Sequence, residues 1–119
     1  MNHAIRQVSA MSETNGEVLL CLGISRYLVN EEQILESLVD HRSWLKRWYD
    51  EGVILFSGRQ DPPNGGVLAF RAANREAARA FLDSDPFTRN AVAEYDLVAV
   101  APTPAPWRRG DIDEFLTST

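Results

Sequence analysis

Cysteine, histidine and long apolar runs are what this chain has least of. Cys21 is the single cysteine, and His3 and His41 are the two histidines among 119 residues. One thiol makes no internal disulfide and no cysteine-based zinc site. With His3 in a polar N-terminal stretch, a histidine-rich metal site is not expected either. Glycine-rich nucleotide-binding patterns are missing, so no cofactor is expected. No apolar run approaches the roughly 18 residues that span a bilayer. Residues 1–16 lack the apolar core of a signal peptide, so a cytoplasmic protein without membrane contact is expected. Basic residues are also short, 12 Lys and Arg against 17 Asp and Glu, a net charge of −5. Phosphate-backbone binding needs a basic face, so nucleic acid is not an expected partner. A small-molecule ligand remains open.

What is present is an ordinary core. Hydrophobic residues make up 45% and charged residues 24%, enough for one domain that folds without staples. Residues 1–16, rich in Ser, Asn, Thr and Gly, read as a mobile extension. Residues 17–28 (EVLLCLGISRYL) read as a first strand. Asn30 caps a helix that runs to Tyr49, with Glu31 and Glu32 in its first turn, Lys46 and Arg47 near its end and Gly52 just beyond, as the helix dipole and capping rules favour. Residues 53–59 and 67–72 are two more strands, joined through the turn signal Asp61-Pro-Pro-Asn-Gly-Gly66. Asn74 caps a second helix with Ala77, Ala78, Phe81 and Leu82 as its apolar face. Asp85 caps a short turn beginning at Pro86, and residues 95–101 form the fourth strand. Residues 102–106 are a stiff Pro-rich arm. Ile112, Phe115 and Leu116 then stand at helical spacing in a short C-terminal segment that is expected to dock by that face.

The order β-α-β-β-α-β is the split βαβ arrangement of a ferredoxin-like α+β sandwich, a four-stranded antiparallel sheet with both helices on one face. Such a sheet should alternate apolar with polar. Here Val18, Leu20, Leu22 and Ile24 occupy one side of the first strand and Leu19 and Cys21 the other. The fourth strand repeats this, with Leu97 and Ala99 against Val98 and Val100. Both sides of the sheet therefore need cover, and a homodimer packed through its sheet faces is the simplest. Leu19, Cys21 or their partners on the fourth strand are expected in that interface.

His41 stands out because it falls in the apolar stripe of the first helix, with Ile34, Leu38, Leu45 and Trp48. A ring placed there needs a hydrogen-bond partner, since an unpaired buried polar group costs about 1–3 kcal/mol. It is either a core histidine satisfied by the fold or an acid or base at a pocket floor. Asp85 likewise reads first as an N-cap before Pro86, but in this topology the end of the second helix approaches the middle of the first. Trp44, Trp48 and Tyr27 are either core aromatics or the lining of a pocket. Ser57 lies in no nucleophile elbow. It is either a small residue packed at a strand end or a substrate-binding hydroxyl.

His41-Arg-Ser-Trp-Leu45, Glu51-Gly-Val-Ile-Leu-Phe-Ser-Gly58, Gly65-Gly66 and Asp85-Pro86-Phe87 stand together in an order and spacing that resembles the YciI-like (YCII-related) family of the dimeric α+β barrel group. The resemblance covers roughly residues 16–101. It divides the chain into an extension (1–16), a YciI-like domain (17–101) and an arm with a short terminal segment (102–119), and no function carries over to the arm. It implies a ferredoxin-like fold, a dimer formed through the sheets, and an active site on His41 and Asp85. The activity best understood in the family is elimination of chloride from a chlorinated hydroxyquinol. The chain departs from the common pattern at Arg59, where a proline is frequent. Arg59 is either a solvated hairpin charge or a contact for an anionic substrate. Ser57, Arg59 and Trp44 are the candidate substrate-binding residues. The function expected is cofactor-free acid/base chemistry, of elimination, lyase or hydrolase type, on a small molecule, with aromatic hydroxylated ones among the candidates. The alternatives are a non-catalytic dimeric module that binds a small molecule or a protein, and a cofactor-independent monooxygenase or isomerase of the wider barrel group.

Overall fold

The structure is a computed structural model and describes residues 18–104 and 109–117. The expected N-terminal extension lies outside the described residues, as do Ala105, Pro106 and Trp107 of the C-terminal arm.

Strand β1 (Leu19–Tyr27) leads into helix α1 (Glu31–Asp50), then to strands β2 (Ile54–Arg59) and β3 (Gly66–Ala72). Helix α2 (Arg75–Asp83), the single turn α3 (Pro86–Arg89), strand β4 (Ala93–Val100) and helix α4 (Gly110–Thr117) complete the order. The strands lie β2-β3-β1-β4, with every neighbouring pair antiparallel. This is the ferredoxin-like α+β sheet that the order of elements predicts.

Local chemistry sets the helix ends. The Asn30 side chain accepts the Gln33 N–H at 2.9 Å, and the Asn74 side chain accepts the Ala77 N–H at 2.7 Å. Each satisfies an N–H that the helix itself leaves unpaired. Beyond α1, Gly52 takes a positive φ of 73°, which glycine tolerates without strain.

Cys21, Leu68, Phe70 and Leu97 point from the sheet into a core completed by Ala78 and Leu82 of α2, with Trp44, Leu45 and Trp48 of α1 packed on it. A second, smaller cluster forms around Phe87, Val92 and Ala93 beneath Ile34 and Leu38. Gly23 allows the layers to close: a Cβ there would stand 2.6 Å from a Leu82 methyl and 3.0 Å from the Tyr95 ring. At the other end of the sheet, a Cβ on Gly65 would meet the Ser25 carbonyl oxygen at 1.9 Å, so the β2–β3 loop reaches β1 only with glycine in that place.

Two expectations are corrected in detail. Cys21 is fully buried under the helices with Leu19 packed beside it, so neither faces a sheet-to-sheet partner. The bare face is the other row. Leu20, Leu22 and Ile24 pair across β1 with Val100, Val98 and Val67, and Val98 and Val100 are 44% and 38% exposed. Ala77 is exposed rather than part of the α2 face, which is made by Ala78, Phe81 and Leu82. In the C-terminal segment the spacing of Ile112, Phe115 and Leu116 does yield a helix, with Leu116 buried and the other two half-buried.

Candidate active site

The stripe of α1 carries His41 across the seam between the two core clusters, one turn past Leu38 and one turn before Leu45. Its side chain is 15% exposed, and Nδ1 lies 2.7 Å from Asp85 Oδ1. Asp85 is held from three sides. As the N-cap of α3 it accepts the Phe87 N–H on Oδ1 at 2.9 Å, with Pro86 in the first helical position. The Tyr95 hydroxyl donates to Oδ2 at 2.6 Å. The carboxylate is 0% exposed, and a group so deprived of water persists only when such donors replace it.

Tyr95 is suited to that task. Burial pushes its phenol well above the ordinary tyrosine range, and the adjacent Asp85 charge, the hydrogen bond to it and Tyr27 push the same way. The hydroxyl therefore stays protonated and remains a donor. Since Asp85 accepts at Oδ1, Nδ1 of His41 is the protonated nitrogen of the neutral ring, and Nε2 carries the free lone pair. Stacking fixes the ring plane. The Phe87 ring lies 3.9 Å from the imidazole centroid and 2° from parallel, and Trp44 stands 6.3 Å away at 21°. One short segment, Asp85-Pro86-Phe87, thus supplies both the carboxylate and the aromatic platform.

His41 and Tyr95 line a cavity of about 240 Å³ whose wall includes Ser25, Tyr27, Arg42, Ser57 and Arg59. A wider cavity of about 760 Å³ adjoins it, and Tyr27, Leu38, Arg42 and Arg59 line both. The Ser57 hydroxyl is 2.7 Å from the Tyr49 hydroxyl, which ties β2 to the end of α1. Ser25 Oγ accepts the Gly66 N–H at 2.8 Å.

Of the residues singled out from the sequence, His41 and Asp85 meet, and Ser57 and Arg59 line the cavity beside them. Trp44 does not line it. Its indole N–H donates to Ser84 Oγ at 3.0 Å and its ring packs on Phe81 at 4.8 Å, so it ties α1 to the end of α2. Tyr95, Arg42 and the Phe87 ring are additions. The parity of β4 carries a signal for the first, since Tyr95 shares its side with Leu97. Arg42 carried no signal beyond its place next to His41. Among the described residues no group of three or more His, Cys, Asp or Glu side chains converges as a metal site would require. No described helix is long and apolar enough to cross a membrane.

Comparison with known proteins adds the family. The family model of the YCII-related domain matches residues 15–102, which include all four strands, His41 and Asp85. No curated protein matches the chain.

Proposed function

The chain belongs to the YCII-related family, and on that premise we propose a small cofactor-free enzyme in which His41 is the acid or base and Asp85 holds it. One observation carries the reading. A fully buried carboxylate, itself fixed by the Phe87 N–H and the Tyr95 hydroxyl, accepts from Nδ1 of a ring that lines an open cavity. A merely satisfied core histidine needs no such cavity.

The chemistry follows from the tautomer. Nε2 takes a proton from a substrate carbon, the C–H electrons form a new double bond, and a leaving group departs with its own bonding pair. The imidazolium so formed faces the Asp85 charge, which stabilises it. The proton then passes to the leaving group or to water, restoring the neutral ring. Elimination on a small molecule, with hydroxylated aromatics among the candidates, uses these parts with nothing added. The wall residues Ser57 and Arg59 are the substrate contacts in this reading. The cavity of about 240 Å³ lies below the ~300 Å³ at which drug-sized pockets begin, in keeping with a small substrate.

We extend the proposal to a cytoplasmic homodimer joined through the bare sheet face. Leu22, Ile24, Phe56, Val98 and Val100 put on that face the kind of contiguous apolar patch that soluble monomers seldom expose.

The test is a screen of halogenated and hydroxylated aromatic and aliphatic compounds for released halide or water, run on the native chain beside His41→Asn and Asp85→Asn. Activity that falls by about 10²–10⁴-fold in His41→Asn, the span of a general acid or base, supports the enzyme. A turnover that both variants retain removes the dyad, and with it the enzyme in favour of a binding module.

A further inference from the structure

Two arginines at the cavities have no pairing partner among the described residues. Arg42 and Arg59 line both the inner and the wider cavity, and neither has a hydrogen-bond or ion-pair partner among the described residues. Three other arginines of the domain do, while Arg47, Arg75 and Arg89, also without one, line neither cavity. Arg26 pairs with Glu94, Arg71 donates to the Gly52 carbonyl at 2.9 Å and Arg79 to the Tyr95 carbonyl at 3.1 Å. In a chain of net charge −5, unpaired cations gathered at one cavity are a local reversal of sign, and clefts focus such a field. Among the described residues, Glu31 is the only carboxylate that lines either space, in the wider one.

Arg26, already paired with Glu94, and Asn64 also line the wider cavity, and one part of its wall is apolar. Val29, Ile34, Leu35 and Pro63 line it. A ligand that satisfies both halves has one charged end and a mostly apolar body. Guanidinium forks match a carboxylate in two parallel hydrogen bonds, which makes it the natural charged end.

We propose that Arg42 and Arg59 are the anion-binding part of this site, and that its substrate is a small organic carboxylate whose apolar body lies along Ile34 and Leu35. The proposal rests on the acid/base reading of His41 and Asp85 for the reaction, but the recognition is independent of whether His41 turns the ligand over.

The test uses matched fragments, each carboxylic acid beside its primary amide: benzoate with benzamide, phenylacetate with phenylacetamide, hexanoate with hexanamide. Binding to the full chain is read from backbone amide shifts, which also verify that each variant is folded. The carboxylates should bind at least about tenfold more tightly than their amides, and Arg42→Gln or Arg59→Gln should each remove about tenfold of carboxylate affinity while leaving the amides unchanged. Arg59→Lys should restore only part, because a lysine keeps the charge without the fork. Carboxylate affinity should fall with added salt. His41→Asn should keep the preference for acid over amide. Amides that bind as well as their acids, or acids that ignore both arginine variants, overturn the proposal, as does a panel in which no acid binds. Arginine-dependent binding without any His41-dependent turnover upholds the carboxylate site and sinks the acid/base reading alone. His41-dependent turnover of a neutral substrate, with binding that ignores both arginines, sinks the carboxylate site alone.

Discussion

The two faces of the sheet solve opposite problems with similar residues. Under the helices, Cys21, Leu68, Phe70 and Leu97 are sealed, and the one carboxylate among them, Asp85, has three donors. On the other side Leu22, Ile24, Val98 and Val100 are just as apolar, but Ile24, Val98 and Val100 remain more than a third exposed. The covered face affords a buried charge because every donor around it is fixed by its own element: α1 brings His41, α3 the Phe87 N–H and β4 the Tyr95 hydroxyl. Among the described residues the bare face holds no such polar construction at its centre, and its charges are the Arg26–Glu94 pair, Asp96 and Arg71, the last tied to the Gly52 carbonyl. Apolar surface alone calls for a partner. Apolar surface built around an oriented polar group makes a site.

Two adjacent residues of β4 put this contrast to its hardest test. Leu97 faces the helices and Val98 faces away. Leu97→Asp should destabilise the chain by more than about 4 kcal/mol, since it buries an unpaired charge, and should leave little folded protein by circular dichroism. Val98→Asp should leave the fold intact and instead shift sedimentation from dimer to monomer. A native chain that sediments as a monomer at micromolar concentration breaks the comparison on the bare side. A Leu97→Asp chain that melts normally breaks it on the covered side.

The next largest effect is expected at Asp85. Asp85→Ala strips the partner from three donors and the cap from α3, and should cost roughly 3–5 kcal/mol, since a buried donor left unpaired costs about 1–3 kcal/mol and a lost cap about 1 kcal/mol. Asp85→Asn keeps Oδ1 for both the Phe87 N–H and Nδ1, so it should lose much less stability, while it removes the charge behind the imidazole and sets an amide group against the Tyr95 hydroxyl. Chemical denaturation of the two variants separates the structural role of the carboxylate from its role on the imidazole. Equal losses would mean that the capping oxygen kept by asparagine adds little, and that the charge of Asp85 rather than its cap holds this corner.

The legibility of these features in the sequence had a physical pattern. His41 was readable because a helix stripe of period 3.6 assigns a direction to every side chain in it. Asp85 was readable as a cap, because Asp-Pro carries local capping chemistry, and the βαββαβ order brought it near α1. The covered face was not readable, because Cys21 and Leu22 are both apolar and strand parity fixes alternation but not which row the helices choose. Tyr95 depended on that same choice, so it stayed hidden although it shares a side with Leu97. Trp44 stands away from the cavity for a different reason. Its position on α1 is close to the site, but the indole N–H finds Ser84 and the ring finds Phe81, a side-chain direction that spacing does not encode. Ala77 shows the limit for small residues, which tolerate either side of a helix.

The smallest effect concerns Tyr95, and its sign is set by proton linkage. At neutral pH, Tyr95→Phe removes one hydrogen bond to a charged acceptor and should cost about 1.5–3 kcal/mol. The folded chain holds the Tyr95 phenol protonated far above its ordinary value of 10.0, first through burial and then through the Asp85 charge. Folding therefore binds that proton more tightly than the unfolded chain does. The stabilisation is complete below about pH 10 and declines as pH rises beyond it, with a limiting slope of about 1.4 kcal/mol per pH unit. Cys21 acts in the same direction, since burial raises its thiol from 9.0 to about 11 despite the opposing Arg75 charge; its contribution is lost as pH climbs through that interval. Urea titrations between pH 8 and 11 on the native chain, Tyr95→Phe, and both in a Cys21→Ala background resolve the two. Above pH 10 the native chain should lose stability faster than Tyr95→Phe, and the gap between them should narrow as pH rises. Parallel curves would mean that the hydroxyl ionises as readily folded as unfolded, and that Asp85 keeps its place on the covered face without a tyrosine donor.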